Sequence, residues 1–298
     1  MIHACAKAIA AAAIVAAASP GLSDNPVASE LFGAVETAFS QKPMPIGRHA
    51  QGCIAGAVQL PESGPTWQAM RLDRNRNWGH PELIDYIVDL STRASELGWN
   101  GLYVGDMSQP RGGPMASGHT SHQIGLDVDI WMLPPGRLDL SRTERETISS
   151  ISVRTDDQTG VNSNWTDTHK EILKAAASDP RVDRILVSAA VKVELCSHAG
   201  GNGRWLQKIR PWYHHNYHFH VRLKCPPGSL YCVPQRPTVE ELSGDGVGCD
   251  KSLEWWVTDY AESLKQPAKK SPPSTIRSAP NLLLSDLPEA CREILASD

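Results

Sequence analysis

The chain has 298 residues, enough for one large domain or two ordinary ones, and 41% of them are hydrophobic against 21% charged, which excludes a disordered chain. Its 29 Lys and Arg nearly balance 33 Asp and Glu, for a net charge of -4. A sequence-blind nucleic-acid binder needs a basic excess or stripe, so that class is excluded too.

Ala8 to Ala18 is an unbroken run of Ala, Ile and Val that follows Lys7 and ends in small residues. It reads as a secretory signal peptide over residues 1–18. The run is too short for a membrane span, and no later stretch reaches the roughly 20 apolar residues a span needs. Pro81 to Leu97 reads as a helix, with Pro at its first turn, apolar residues at spacings of three and four, and Gly98 beyond its end. Leu102 to Val104 reads as a short strand, Ser108 to Ser117 as a Gly/Pro-rich loop, and Leu126 to Met132 as an alternating strand. Trp165 to Ser178 is a second helix ended by Pro180. Ile185 to Val187 and Tyr217 to Lys224 are further strands, the latter alternating cleanly. Residues 266–280 form a Pro-rich linker after a main domain of residues 19–265, and Leu282 to Ala296 reads as a terminal helix within residues 281–298.

Beyond the signal six cysteines remain: Cys53, Cys196, Cys225, Cys232, Cys249 and Cys291. An even number in an exported chain suggests disulfides, and the lack of any C-x-x-C disfavours a thiolate metal site or a redox pair. Pro226-Pro227-Gly228 makes a tight reversal that favours pairing Cys225 with Cys232. Most of the 9 Trp read as core residues with a polar edge.

The chemistry concentrates in histidine. Of 11 His, six fall in two short windows, 119–122 and 214–220. In the first, Asp127 and Asp129 lie two apart on an alternating segment and so share a strand face. His122 precedes Asp129 by seven residues, with Gly125 between them to let the chain turn back. In the second, Tyr217, Phe219, Val221 and Leu223 face one side of a strand while His218, His220, Arg222 and Lys224 face the other. One carboxylate and two imidazoles, with a position left open, suit catalytic Zn²⁺, and a spare imidazole can carry the proton. His49, His80, His169 and His198 are isolated and read as ordinary structural residues.

These windows resemble the penicillin-insensitive murein endopeptidases, zinc metallopeptidases related to the lysostaphin-type and D-Ala-D-Ala peptidases. The resemblance is carried by Ser121-His122-Gln123-x-Gly125-Leu126-Asp127-Val128-Asp129-Ile130, by Arg210-Pro211-Trp212, and by His215-x-x-His218-x-His220-Val221-Arg222-Leu223. The cysteine pattern agrees, and the likeness runs from about Lys42 to Cys249, with Cys291 fitting near the end. Ile124 and Phe219 depart from the usual residues without touching the site. The resemblance implies an α+β fold: a small antiparallel sheet core carrying the zinc site, with flanking helices and long disulfide-tied loops. It implies His122, Asp129 and His220 as zinc ligands and His218 as the catalytic base. His119 and His215 would line the site, His119 as a further candidate ligand and His215 as the competing candidate for base. It pairs Cys53 with Cys291, Cys196 with Cys249, and Cys225 with Cys232. The implied activity is hydrolysis of peptide cross-links between peptidoglycan stem peptides, of the D-alanyl-diaminopimelate type, in the periplasm.

The residues also speak to β-lactam insensitivity. No Ser-x-x-Lys occurs, so the serine machinery that β-lactams acylate is missing, and no His-Glu-x-x-His occurs either. Two alternatives stay open. A D-Ala-D-Ala-type carboxypeptidase would need a cation for a free carboxylate, which Arg111 or Arg222 could supply. A murein-binding module with an inactive zinc site is the other, weighed down by the complete set of His122, Asp129, His218 and His220.

Overall fold

The computed structural model describes residues 25–198, 203–244, 246–266 and 277–297. The expected signal peptide and most of the Pro-rich linker lie outside the described residues. The strands in chain order are β1 (Met44–Arg48), β2 (Gln51–Ala55), β3 (Val58–Gln59), β4 (Trp67–Ala69), β5 (Trp78–Gly79), β6 (Leu102–Val104), β7 (Asp127–Trp131), β8 (Val182–Val187), β9 (Ile209–Pro211) and β10 (His218–Leu223). The helices are α1 (Ala28–Gly33), α2 (Pro81–Glu96), α3 (Arg142–Thr147), α4 (Asp167–Ser178), α5 (Ala189–Ser197), α6 (Val239–Ser243), α7 (Ser252–Val257), α8 (Asp259–Ser263) and α9 (Ala290–Ala296).

One six-stranded sheet organises the molecule, in the order β4-β6-β7-β10-β8-β9. Its centre is antiparallel, but β4 pairs with β6 and β8 with β9 in parallel, so the sheet is mixed rather than the small antiparallel one expected. The physical reason is that β4 and β9 are three residues each, too short for a period-two pattern to show in sequence.

Alternation does the rest. Phe219, Val221 and Leu223 of β10 join Val128 and Ile130 of β7 and Ile185 and Val187 of β8 in the main core. Helices α2 and α4 cover that face with Leu83, Ile87, Leu90 and Ala94, and with Ile172, Leu173 and Ala176. Each fully buried side chain of leucine size contributes about 1.5–3 kcal/mol. Helix α2 begins at Pro81, whose missing N–H costs nothing there, and His80 caps it by accepting the Glu82 N–H.

A second, smaller core joins the two ends of the chain. Phe32 of α1, Ile46 of β1 and Ala55 of β2 pack against Leu284, Leu287 and Ile294. The expected terminal helix is shorter than its pattern. It is reduced to α9, preceded by 3-10 turns at Ala279–Asn281 and Leu284–Asp286. Pro288 explains this, because a proline cannot continue a helix and forces Leu287 into extended backbone. Three disulfides tie the loops: Cys53–Cys291 between the two ends, Cys196–Cys249, and Cys225–Cys232. Among the described residues no helix is long and apolar enough to cross a membrane.

Candidate metal centre

The register of β7 against β10 builds the floor of the site. It sets His220 opposite Asp129, His218 opposite Trp131 and Arg222 opposite Asp127, so the polar residues of both strands crowd one face. His122 comes from the loop ahead of β7. There the chain takes a left-handed conformation at His122 (φ 68) and again at Gly125 (φ 70). A side chain at Gly125 would meet Ile54 Cδ1 at 2.5 Å and the His80 backbone nitrogen at 3.1 Å, and its left-handed backbone favours glycine. His122 is costlier there, and such local strain is typical of a functional position.

Three donor atoms converge. His122 Nε2 lies 3.1 Å from His220 Nδ1, His220 Nδ1 lies 3.1 Å from Asp129 Oδ1, and His122 Nε2 lies 3.4 Å from Asp129 Oδ1. The outer ring nitrogens are already committed. His122 Nδ1 donates to the Met107 carbonyl at 2.9 Å, and His220 Nε2 donates to Asp127 Oδ1 at 2.7 Å. With their outer nitrogens engaged in this way, both rings turn their inner nitrogens toward each other and toward the Asp129 carboxylate, a donor set that suits a cation at its centre. Tetrahedral bonds of 2.0–2.1 Å set ligand atoms about 3.3 Å apart. The observed separations bracket that value, so these residues fit a small divalent metal ion.

His119 and His218 flank the trio. His119 Nε2 donates to Asp106 Oδ2 at 3.0 Å, while its Nδ1 lies 3.5 Å from Asp129 Oδ2. His119, His122 and Asp129 thus offer donor atoms within 4.8 Å of one another. His218 Nε2 lies 3.5 Å from Asp129 Oδ2, too far for a hydrogen bond, and its ring opens on a cavity of about 460 Å³ shared with Arg71, Arg74 and Tyr217. His215 stands behind His218, ring centroids 4.9 Å apart, and donates its Nδ1–H to the Tyr213 carbonyl.

Charge follows from these contacts. Burial alone would raise the Asp129 carboxyl, but His218, His122 and His119 around it hold it well below the usual carboxylate range. Burial also opposes Asp127, where Arg222 and His49 win and pull its pKa down. His220 is raised, because its bonds to Asp127 and Asp129 outweigh burial. His218 is lowered, chiefly by burial, with Asp129 opposing. His215 is pushed down to about 3 by burial and by His218 and His220.

Two supporting residues escaped the sequence reading. His49, taken as an ordinary structural residue, sits in the β1–β2 turn and donates Nδ1–H to Asp127 Oδ2 at 2.7 Å. Asp127 therefore accepts from His49, His220 and Arg222 together, and it fixes His220 from behind. Asp106 accepts from Arg74, Arg76 and His119 on one oxygen. Neither had a sequence signal, because each is a lone residue in a loop. By contrast His169 caps α4 and donates to the Met132 carbonyl, a structural use.

Comparison with known proteins agrees with the resemblance. The chain is 40% identical over 232 residues to a penicillin-insensitive murein endopeptidase of Haemophilus influenzae, covering 78% of this chain and 80% of that protein. It is 39% identical over 251 residues to the protein of that name from Klebsiella pneumoniae, with 84% and 85% covered. The Yersinia enterocolitica protein of that name is 38% identical over 254 residues, with 85% and 86% covered. The family profile described as penicillin-insensitive murein endopeptidase matches residues 45–296, which takes in the six-stranded sheet, the main core and α9 but not α1. The chain belongs to the penicillin-insensitive murein endopeptidase family.

Proposed function

We propose that the chain hydrolyses peptide cross-links of murein at a zinc centre held by His122 Nε2, Asp129 Oδ1 and His220 Nδ1. The observation that carries this reading is the convergence of those three atoms at 3.1–3.4 Å while both outer imidazole nitrogens are engaged elsewhere. Zinc is the natural occupant of a nitrogen- and oxygen-donor set with room for one more ligand. When bound, it supplies Lewis-acid charge stabilisation and a water acidic enough to ionise near neutral pH.

The protein's own residues do the remaining work. Asp127 holds His220 by accepting its Nε2–H, and the Met107 carbonyl holds His122. His218 faces the cavity from beside Asp129, so its Nε2 takes the proton of the attacking water and returns it to the leaving amine. His119 spans Asp106 and Asp129 and keeps the cavity wall in place. His215 backs His218. We assign residues 19–265 to the catalytic body and the segment 281–298 to a tail tied back by Cys53–Cys291. The reading puts the working protein in the periplasm, with residues 1–18 removed on export.

The carboxypeptidase alternative loses the two cations named for it. Arg111 is committed to the Thr37, Ile294, Leu295 and Ser297 carbonyls. Arg222 is committed to Asp127 and Gln235. Digestion of purified murein, with mass spectrometry of the products, tests the proposal. Cross-linked dimers should become monomers, with penicillin present and not with a chelator present. Loss of terminal D-Ala alone would establish the carboxypeptidase instead. Unchanged murein would leave a binding module.

A further inference from the structure

The loop from β9 to β10 carries two sets of side chains. His215 turns toward the metal centre, and Trp212 and Tyr213 turn outward. Trp212 is 50% exposed and Tyr213 39%. Tyr213 does not stand alone. Its ring lies 5.4 Å from Trp212, 4.9 Å from Trp256 of α7 and 5.1 Å from Tyr260 of α8. Tyr260 in turn stacks on Trp255 at 5.6 Å and 25°, and Trp255 is 46% exposed. Five aromatic rings thus form one continuous surface that begins two residues from His215.

This surface is anchored from beneath. Leu253 and Ala261 bury the inner sides of α7 and α8, and Cys249, just ahead of α7, is bonded to Cys196 of α5. It also adjoins the cleft. The Tyr213 carbonyl accepts from His215, whose ring lies 4.9 Å from that of His218 at the cavity. Three of the five rings, Trp212, Tyr213 and Trp255, are exposed, and contiguous exposed aromatic area is the kind of surface that meets a ligand.

The rim indicates what binds. Glu254 and Asp259, each next in sequence to one of the rings, are exposed. Flat aromatic faces beside carboxylates suit a neutral polyol, whose C–H face packs on the ring while its hydroxyls donate to the acids. The same acids repel an anionic lipid surface. The proposed substrate is such a polyol joined to peptides. Three or four stem-peptide residues reach only about 10–14 Å when extended. A glycan strand therefore passes close to the bond being cut, at the range of a few ring-to-ring steps.

We propose that the Trp212–Tyr213–Trp255–Trp256–Tyr260 surface is a second subsite, which takes N-acetylated amino-sugar rings of the glycan strand while the His/Asp cleft takes the stem peptides. It rests on the murein reading above. It lets the protein work along the polymer rather than on free peptides.

Chitohexaose, a peptide-free chain of N-acetylglucosamine, is the probe. Tryptophan fluorescence and protein-observed NMR of the whole chain should report its binding. Trp255→Ala and Trp212→Ala should each weaken it about fivefold, the worth of one aromatic contact. Trp255→Phe, which keeps a ring, should recover most of the loss. In parallel, the ratio of cleavage rates on intact sacculi and on a sugar-free cross-linked peptide should fall in both alanine variants. Unchanged chitohexaose affinity in the variants overturns the proposal. So does an equal loss on both substrates, which would mean that the rings only shape the cleft. A variant-dependent change in oligomeric state would assign the surface to a second copy of the chain. Should the parent cut neither substrate, the murein reading fails, and the chitohexaose titration still decides the subsite by itself.

Discussion

The two largest apolar cores among the described residues are built by different means. The larger lies under the six-stranded sheet, where alternation on β7, β8 and β10 and two amphipathic helices bury dozens of apolar side chains. The smaller has nine buried residues drawn from both ends of the chain, too few to stand without help. Its help is covalent and polar: Cys53–Cys291 and the Arg111 guanidinium, which gathers carbonyls from Thr37 and from the last turn of α9. Yet His49, in the turn of β1 and β2, reaches from the smaller core to Asp127 beneath His220. The large core fixes the proposed ligands, and the small one braces them.

The largest expected effect lies on the large core. His218→Ala should keep the metal and the fold while lowering cross-link hydrolysis by about 10²–10⁴-fold, the range for a lost general acid–base. Metal content and steady-state kinetics on dimeric muropeptides check this, beside His215→Ala. A near-normal kcat in His218→Ala with an inactive, metal-loaded His215→Ala would exchange the two roles.

The covalent tie comes next. Replacing Cys53 and Cys291 together by serine reopens a loop of 238 residues. Loop-closure entropy puts the cost at about 5 kcal/mol. A lower urea midpoint, with the smaller core opening first in hydrogen exchange, is the expected result. An unchanged midpoint and exchange pattern would show that Arg111 and the apolar contacts hold the ends together unaided.

The brace is the subtlest case. His49→Ala leaves Asp127 with Arg222 and His220 and should weaken metal affinity by about 10–100-fold, as loss of an outer hydrogen-bond partner commonly does. Competition with a chelator of known affinity measures it. Affinity equal to the parent's would confine the smaller core to a purely structural part.

Much of this arrangement was legible in the sequence, for stated physical reasons. Helix α2 announced itself by Pro81, its apolar spacing and Gly98, and it ends one residue earlier than the pattern suggested. Strands β7 and β10 were visible because one face of each is apolar and the other polar. Their register, which brings Asp129 opposite His220, was not, since pairing is a property of two strands together. Edge strands β4 and β9 were too short to show. The terminal helix was overread because its apolar spacing continues across Pro288. His49 and Asp106 had no pattern at all, since only tertiary contact gives a lone loop residue its partner. For Arg111 the charge was evident and the destination was not: three of its four carbonyl targets lie more than 180 residues along the chain.

The central claim is that three side chains, from the loop before β7, from β7 and from β10, hold one metal ion. The most direct test is metal analysis of the purified chain by mass spectrometry, parent beside His220→Ala, with circular dichroism to establish that both are folded. The account predicts close to one zinc per chain in the parent and almost none in the variant. A folded His220→Ala protein carrying as much zinc as the parent would contradict it.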